Sequence, residues 1–273
     1  MSIRDEIREQ RMSLKGKGVK AHVSWFWSYY KWPVAIIILS LILVISVVYS
    51  IVTRKPEAAN VIMLNVEGQS SLLNTDPIVE DIADKADVDL DEYSISLDMS
   101  GHLTPGGATD SAEIGQQERI VTYISAKNLD VLACDAYNFV SYANIGAFVD
   151  LRTVLSDEEI EKYEPYFYYV DEAVVDAEQD SALSGSSEED SSDITGETQE
   201  EAEASEKVGT FKLPDPSKME DPEPVGIVLN DAPYSKDMPL YTETTGMIGI
   251  VSTSQHMETS VAIINYFWEG PDK

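Results

Sequence analysis

The side chains that most often carry catalysis or bind metal ions are sparse in this chain. It holds three histidines, His22, His102 and His256, and one cysteine, Cys134. A zinc site needs several His or Cys ligands close together, and the spacing of these residues indicates no such cluster. Serine-hydrolase, phosphate-loop and dinucleotide-binding motifs are also missing from the sequence. We therefore predict that the protein is not an enzyme and uses no metal and no cofactor.

The single cysteine follows a short apolar run, "LDVLAC", which ends at Cys134. An unpaired cysteine is usually buried in a protein core. A reactive thiol needs a neighbouring basic group, and no His or Lys adjoins Cys134 in the sequence. A buried, inert thiol is therefore favoured over a nucleophile, and one cysteine allows no internal disulfide.

An acidic stretch, "DVDLDEYSISLD" at 87–98, has part of the pattern of a calcium-binding loop. Asp87, Asp89, Asp91 and Asp98 occupy positions 1, 3, 5 and 12 of that pattern. Position 6 normally requires glycine for a sharp turn, and Glu92 stands there instead. The second half also alternates like a strand, so a solvated acidic turn is favoured and a calcium site is the alternative.

A long apolar segment lies near the amino terminus. Pro33 to Thr53 contains no charged residue, and a helix of that length spans roughly 31 Å, about the hydrocarbon thickness of a bilayer. Aromatic residues, which favour the headgroup layer, precede it; they are Trp25, Phe26, Trp27, Tyr29, Tyr30 and Trp32. We predict a cytoplasmic basic tail with an aromatic belt at 1–32 and a transmembrane helix at 33–53.

The alternative to an anchor is a cleaved signal peptide. A signal peptide has an apolar run of about 7–15 residues after a short basic region. Here the apolar run is longer, and only "EAAN" at 57–60 weakly matches a cleavage site. Seven basic residues precede the segment, and Arg54 and Lys55 follow it. The positive-inside rule predicts a single-pass protein of the cell membrane with a cytoplasmic amino terminus and an extracellular carboxyl-terminal part.

The charge balance limits the partners of the outer part. Residues 56–273 carry ten basic and 46 acidic residues, a formal charge of −36. Binding to nucleic acid needs Lys and Arg facing the phosphates, so we predict no nucleic-acid partner. The predicted partners are the lipid bilayer, through 33–53, and an envelope or transporter protein.

One internal segment has the composition of a disordered linker. Residues 176–206 contain twelve acidic residues and no basic or aromatic one. Such a run buries too little apolar surface to offset the entropy of ordering. The next stretch, "LPDPSKMEDPEP" at 213–224, holds four prolines and predicts an extended continuation. We predict a linker at 176–224 between two folded parts, 58–175 and 225–270.

The folded parts alternate strand and helix patterns. Strands are predicted at 60–66, 92–99, 129–135, 224–229 and 246–251, and helices at 76–86, 111–128, 136–146, 156–167 and 257–269. In the 111–128 helix, the apolar face is predicted to comprise Ile114, Ile120, Val121 and Ile124. This order indicates an α/β domain whose first part has parallel strands joined by right-handed crossovers. The two later strands and the last helix are predicted to complete the same sheet.

The segment "LDVLACDAYNFVSYANIGAFVDLRTVL" resembles the first lobe of bacterial extracytoplasmic solute-binding proteins of ABC importers. In that family, a strand ending in Asp leads into a helix and then into a Gly-x-apolar-x-Asp-Leu turn. Here Val131 to Asp135 form the strand end, and the turn residues are Gly146, Phe148, Asp150 and Leu151.

The later segment "MIGIVSTSQHMETSVAIINYF" resembles the part of the same family that returns to the first lobe. Its strand and Ser-rich turn match Gly249 to Ser254, and its helix matches Glu258 to Phe267. The resemblance implies a single-lobe periplasmic-binding-protein-like fold, because the acidic linker stands where the second lobe would be. The amino-terminal "WFWSYYKWP" resembles the start of small single-span membrane proteins of Gram-positive bacteria.

Fold analogy also suggests where a ligand would bind. In open α/β sheets, ligands lie beyond the carboxyl ends of the strands. The ligand-binding residues predicted by this analogy are Gln69, Asp98, His102, Asp135 and Tyr137, and an ordinary polar rim is the alternative. The aromatic cluster "YEPYFYYV" at 163–170 is either a core strand with an edge or a surface for a sugar or a partner.

Three hypotheses for function follow. The first is a non-enzymatic, membrane-anchored accessory, sensor or interaction module with a solute-binding-like domain. The second is a solute receptor of an ABC importer that a partner completes. The third is an envelope enzyme, which the sequence supports least because no catalytic constellation is visible in it.

Overall fold

This computed structural model describes residues 19–67, 74–105, 107–175 and 211–272. The chain divides into two compact units, residues 1–55 and 56–273. The acidic run predicted to be disordered, 176–206, lies outside the described residues, as does the first half of the basic tail.

The described part of the first unit, residues 19–55, consists mainly of a long helix, α1, which runs from Val19 to Val52. Its segment Lys31–Ser50 is long and apolar enough to cross a membrane, and none of that segment is buried. The transmembrane helix was predicted to begin at residue 33, but the observed helix begins 14 residues earlier, so Pro33 lies inside it. Residues 19–32 contain no glycine or other proline, so the helix continues through Pro33 at the loss of one backbone hydrogen bond.

The second unit is built on one six-stranded sheet with the order β2-β1-β3-β6-β5-β4. The strands are β1 Glu57–Leu64, β2 Ser94–Gly101, β3 Val131–Asp135, β4 Phe167–Asp171, β5 Pro222–Val228 and β6 Gly246–Ile250. Strand β1 pairs in parallel with β2 and β3, whereas the pairs β3–β6, β6–β5 and β5–β4 are antiparallel. The mixed α/β class and the shared sheet are as predicted.

Parallel pairing is confined to the first three strands. These strands are separated by helices, and a crossover is what parallel neighbours require. Strands β5 and β6 are joined by a loop at 229–245 without an α-helix, so the chain turns back beside itself. Strand β5 starts at Pro222, and a 3₁₀ turn spans Pro216–Lys218, so residues predicted as the end of the linker are structured.

Five α-helices are described in this unit. They are α2 Asp76–Lys85, α3 Ser111–Ser125, α4 Ala136–Asn144, α5 Asp157–Tyr163 and α6 Met257–Glu269. Helix α5 begins with the capping box that its sequence predicts, in which Ser156 and Glu159 bond each other's backbone. It ends before the predicted residue 167 because Pro165 disfavours a continuing α-helix.

The core has two layers, one on each face of the sheet. Alternate strand residues point to opposite faces: Val61 and Met63 belong to one buried cluster, and Ile62 and Leu64 to the other. Helices α2 and α6 contribute to the first cluster, and α3 and α4 to the second. Cys134 is fully buried in the second cluster, as expected.

Helix α3 is rotated relative to the sequence prediction. Ile120 is fully buried and Ile124 is half-buried, but Ile114 and Val121 are 49% and 45% exposed. Glu113 faces the interior instead. The predicted apolar face is therefore wrong for two of its four residues, and the hydrogen bonds of Glu113, described below, supply the reason.

The aromatic segment 163–170 supplies part of the core and an edge of the sheet. Tyr163 is fully buried, and Phe167, Tyr168 and Val170 are buried in strand β4. Strand β4 is the last strand in the sheet order, so it forms one edge. This placement agrees with the interpretation of the segment as a core strand with an edge.

Candidate functional site

The carboxyl ends of four strands meet at one edge of the sheet. Strands β1, β2 and β3 are parallel, and β5 runs in the same direction because two antiparallel pairings separate it from β3. The first residues beyond the strands at this edge include Asn65, Leu103 and Asn230, and Asp135 ends β3. Ligands of open α/β sheets bind at such an edge, which makes it the candidate site.

A buried carboxylate connects the first three strands at this edge. Asp135 is fully buried. It accepts hydrogen bonds from Asn65 Nδ2 at 2.5 Å, from Asn138 Nδ2 at 2.8 Å and from Asn138 N at 3.0 Å. The same two amide groups donate to the carbonyl of Leu103 at 2.7 and 2.9 Å. The residues that follow β1, β2 and β3 are thereby held in one hydrogen-bonded network.

Local sequence explains two members of this network. Asp135 is the N-cap of α4, and its side chain accepts the backbone N–H of Asn138, three residues later, as N-cap residues do. Asn65 has a positive φ of 54°, a region that Asn adopts more readily than most residues. Its side-chain oxygen accepts the Leu103 N–H at 2.9 Å.

A second buried carboxylate fixes the loop after β2. Glu113 is 8% exposed, and it accepts bonds from both the backbone and the hydroxyl group of Thr104 and of Thr109, at 2.6–3.2 Å. The bond from the Thr104 hydroxyl and then that from the Thr109 backbone lower the pKa of Glu113 to about 2. These bonds turn Glu113 inward and so set the rotation of α3.

A third carboxylate binds the loop between β5 and β6. Glu67 accepts five hydrogen bonds of 2.5–2.9 Å from the backbone and hydroxyls of Thr242 and Thr244 and from the backbone of Glu243. Burial raises the pKa of Glu67, but the bonds from Thr242 and Thr244 outweigh it, so the pKa lies below its usual value. Glu67 thus fastens the 229–245 loop to the chain that leaves β1.

The 229–245 loop closes over the end of β1. The Tyr241 hydroxyl donates to the Leu64 carbonyl at 2.9 Å, and Asn230 bonds the loop carbonyls of Tyr241 and Thr244. The cavity beneath the loop has a volume of about 10 Å³, room for roughly one water molecule. Its lining comprises Leu229, Ser235, Met238, Leu240, Tyr241 and Phe267.

The predicted ligand residues do not form one group. Asp135 belongs to the network, and Tyr137 is half-buried in the first turn of α4. Asp98 lies within β2, and its carboxylate pairs with Arg119 at 2.7 Å. His102 is 69% exposed, and its Nε2 lies 3.5 Å from the Glu113 carboxylate. Gln69 lies outside the described residues.

The network residues that the sequence interpretation missed are Asn65, Glu67, Glu113 and Asn138. A local signal existed for Asn138, because Asp-x-x-Asn before a helix is N-cap spacing. Asn65 directly follows the apolar run of β1, where a polar residue marks the strand end. Glu67 has no local signal, since its partners lie about 175 residues away in sequence.

The acidic turn at 87–92 joins α2 to β2. Asp89 accepts the backbone N–H of Asp91 at 2.8 Å, so this carboxylate closes the turn itself. Across the described part of the chain, no group of three or more His, Cys, Asp or Glu residues is placed to hold a metal ion.

Ser254, His256 and Asp130 meet at the opposite edge of the sheet. One oxygen of Asp130 accepts the Ser254 hydroxyl at 2.6 Å and lies 3.1 Å from His256 Nδ1. In a catalytic triad the histidine stands between serine and aspartate and takes the serine proton. Here serine and histidine contact the same carboxylate oxygen side by side. The cluster therefore anchors the start of α6 and does not activate Ser254.

Comparison with known proteins gives no match: no family model, no curated protein and no solved structure matches this chain. The function is therefore argued from the site and the sequence.

Replacing Glu113 should make the domain less sensitive to acid. The folded-state pKa of about 2 lies below the ordinary 4.5, so the unfolded chain takes up the proton first as the pH falls. The stability that Glu113 contributes is complete above about pH 4.5 and is lost as the pH falls toward about 2. Urea unfolding of the full chain in detergent should show a smaller loss between neutral and acidic pH for Glu113→Gln than for wild type.

The matched control for this experiment is Glu80→Gln, which changes an exposed carboxylate on α2. It should keep the acid dependence of the wild type. Equal pH dependence of Glu113→Gln and wild type would contradict the role assigned to this carboxylate.

Removing the hydroxyl group should have different effects on the free energy of unfolding at two buried tyrosines near Asp135. Among the described residues, the Tyr142 hydroxyl has no hydrogen-bond partner, whereas the Tyr241 hydroxyl donates to Leu64. An unpaired buried hydroxyl costs free energy, and a satisfied one contributes about 1 kcal/mol. Tyr142→Phe should therefore leave the free energy of unfolding unchanged or raise it, and Tyr241→Phe should lower it by about 1 kcal/mol. A clear loss of stability in Tyr142→Phe would show that its hydroxyl is satisfied.

Proposed function

We propose that this chain is a membrane-anchored, non-enzymatic interaction module. It acts as an accessory or sensor at the cell envelope through a single-lobe, solute-binding-like domain. The observation that carries the proposal is that a loop of the chain itself is fastened over the end of β1, at the candidate ligand site. Glu67 fastens the 229–245 loop over the end of β1, and the space beneath the loop is about 10 Å³. A sugar or a peptide needs a cavity of several hundred Å³.

The apolar helix supports the anchored location. Segment Lys31–Ser50 of α1 has the length and composition of a membrane span. The excess of basic residues before it supports a cytoplasmic amino terminus, with residues 56–273 outside the cell. A strongly acidic outer part agrees with this orientation, since it would gain nothing from the anionic inner leaflet.

The solute-binding-like lobe rests on the resemblance of residues 129–155 and 247–267. The order of parallel strands β1, β2 and β3 and the return of β6 and α6 to the same sheet agree with that resemblance. A two-lobed receptor traps its ligand by closing a hinge between lobes. The described residues of the outer unit form one sheet, so a trap of that kind would need a second wall from elsewhere.

A second candidate function is a solute receptor that a partner completes. Two loops leave the sheet at the candidate site, and residues after β1 bond both: Asn65 bonds Leu103 in the loop held by Glu113, and Glu67 holds the other loop. They offer a partner two loop surfaces at the same edge of the sheet to close against. The envelope enzyme stays the least supported candidate, because Ser254 and His256 are not arranged for proton transfer.

Membrane orientation can be tested by cysteine labelling in intact cells. In a Cys134→Ser background, Lys212→Cys and Ser13→Cys each introduce one thiol, and Lys212 is exposed in the domain. A membrane-impermeant maleimide should label Lys212→Cys in intact cells and Ser13→Cys only after lysis. The reverse pattern, or release of the chain by alkaline carbonate, would contradict the proposed topology.

Ligand binding separates the two candidate functions. The full chain in detergent should show the same unfolding temperature with and without sugars, short peptides and divalent cations. This result is expected because the 229–245 loop is already bonded over the end of β1. A reproducible rise in the unfolding temperature with one class, lost in Asp135→Asn but not in the distant Glu80→Gln, would favour the receptor and contradict the interaction module.

A further inference from the structure

The outward face of α3 differs from the rest of this acidic domain. Helices α2 and α5 expose mainly acidic residues: Asp76, Glu80 and Asp84 on α2, and Asp157, Glu158 and Glu161 on α5. The exposed positions of α3 are Ser111, Ala112, Ile114, Gly115, Gln117, Glu118, Val121, Thr122 and Ser125. Glu118 is the one charged residue among them. Depletion of charge distinguishes the centre of a protein interface from ordinary surface.

Two large aliphatic side chains lie on this face at helical spacing. Ile114 and Val121 are seven residues apart, two turns of helix, and each is about half exposed. Glu118 stands between them, so the three residues form a line with the i, i+4, i+7 spacing of helix-packing anchors. We call this line the α3 stripe. Helix α3 is packed on the domain, because Ile120 on its inner face is fully buried, so Ile114 and Val121 are exposed on a well-packed helix.

A glycine beside the α3 stripe would allow a helix of another protein to approach α3 closely. Gly115 lies inside α3, where glycine is the least favourable residue after proline. A Cβ atom placed there would meet nothing within 4 Å in the chain, so internal packing does not require the glycine. A residue without a side chain next to Ile114 would let the backbone of another helix come close.

The charges indicate which occupant fits. If two copies packed their stripes around a two-fold axis, Glu118 of each copy would lie near the axis, since it is midway between Ile114 and Val121. Like charges would then face each other between two domains that are both strongly acidic. A helix with aliphatic residues at helical spacing and a Lys or Arg opposite Glu118 avoids this repulsion.

We infer that the α3 stripe is a docking surface for a basic amphipathic helix of another protein. This inference rests on the proposed function, because it names the partner class of the interaction module. The helix α3 is about 22 Å long, so the contact is small and of the transient kind. The acidic surroundings attract the basic partner over a distance, and Ile114 and Val121 provide the specific contact.

The test measures binding of fluorescently labelled designed peptides to the full chain in detergent. The first peptide has about three heptads with Leu and Ala at the a and d positions and Lys elsewhere. The second has the same composition in scrambled order, and the third carries Glu in place of Lys. Anisotropy is read at about 0.15 M salt, where contacts between distant charges are screened.

The amphipathic basic peptide should bind, and the scrambled and acidic peptides should bind at least about tenfold more weakly. Ile114→Glu and Val121→Glu should each weaken binding about tenfold or more, because they put a charge into the apolar contact. Ile145→Glu is the control, since Ile145 is 51% exposed but lies outside α3. Glu118→Lys should weaken binding, and Glu80→Lys, with the same change of net charge, should not.

A variant at Gly115 separates docking from folding. Gly115→Gln should raise the unfolding temperature, because glutamine favours a helix and a Cβ atom at this position meets nothing within 4 Å. It should also weaken peptide binding by obstructing close approach. Loss of binding with undiminished stability cannot come from misfolding.

Several results would overturn the docking surface. The first is equal binding of the basic and scrambled peptides, and the second is that Val121→Glu binds the peptide as well as wild type does. The third is a wild-type dimer that Val121→Glu converts to a monomer, which would make a second copy the occupant. Each of these results is compatible with the expected thiol-labelling pattern and with an unfolding temperature that ligands do not change, the two results that test the proposed function. The docking surface can therefore fail without the proposed function failing.

Discussion

The need to satisfy the buried carboxylate of Asp135 with hydrogen bonds is the constraint on which the candidate-site edge of the sheet depends. A fully buried carboxylate is costly unless donors surround it, and here Asn65 and Asn138 supply three N–H groups. Those donors come from the ends of β1 and the start of α4, and they also hold the carbonyl of Leu103 after β2. Any shift of one strand relative to the others would leave this charge unsatisfied.

Two further carboxylates, buried Glu113 and half-buried Glu67, extend the same principle to the loops. Glu113 holds the loop after β2, and Glu67 holds the loop between β5 and β6. Each accepts bonds from both the backbone and the hydroxyls of threonines, and these bonds add to the packing of the loops on the core. At the edge where open α/β sheets bind ligands, the 229–245 loop is thereby held over the end of β1.

Repulsion among the acidic groups limits which partners the surface of residues 56–273 can bind. With a formal charge of −36 on residues 56–273, most of the surface favours cationic partners and disfavours self-association. Basic side chains are largely engaged within the domain, as in the contacts of Lys85 with Glu269 and of Arg119 with Asp98. An apolar contact at the face with low charge and exposed Ile114 and Val121 therefore requires the least desolvation of charged groups.

Most elements of the fold are predictable from local sequence. Helix α6 has the bounds predicted for it, and the strand patterns of β1, β2, β3, β5 and β6 lie within a few residues of their observed positions. The antiparallel half of the sheet and the rotation of α3 are not predictable in this way. The first depends on which strands become neighbours, and the second on Glu113, a charged residue that periodicity assigns to the surface.

The sequence by itself determined the apolar span, the acidity of residues 56–273 and the alternation of strands and helices, because length, charge and periodicity are local properties of the chain. Only the tertiary structure decided that Asp135 meets Asn65, 70 residues away, and that Glu67 meets Thr242, 175 residues away. Hydrogen bonds between such distant residues leave no periodic trace. They exist only after the sheet has brought the strand ends together.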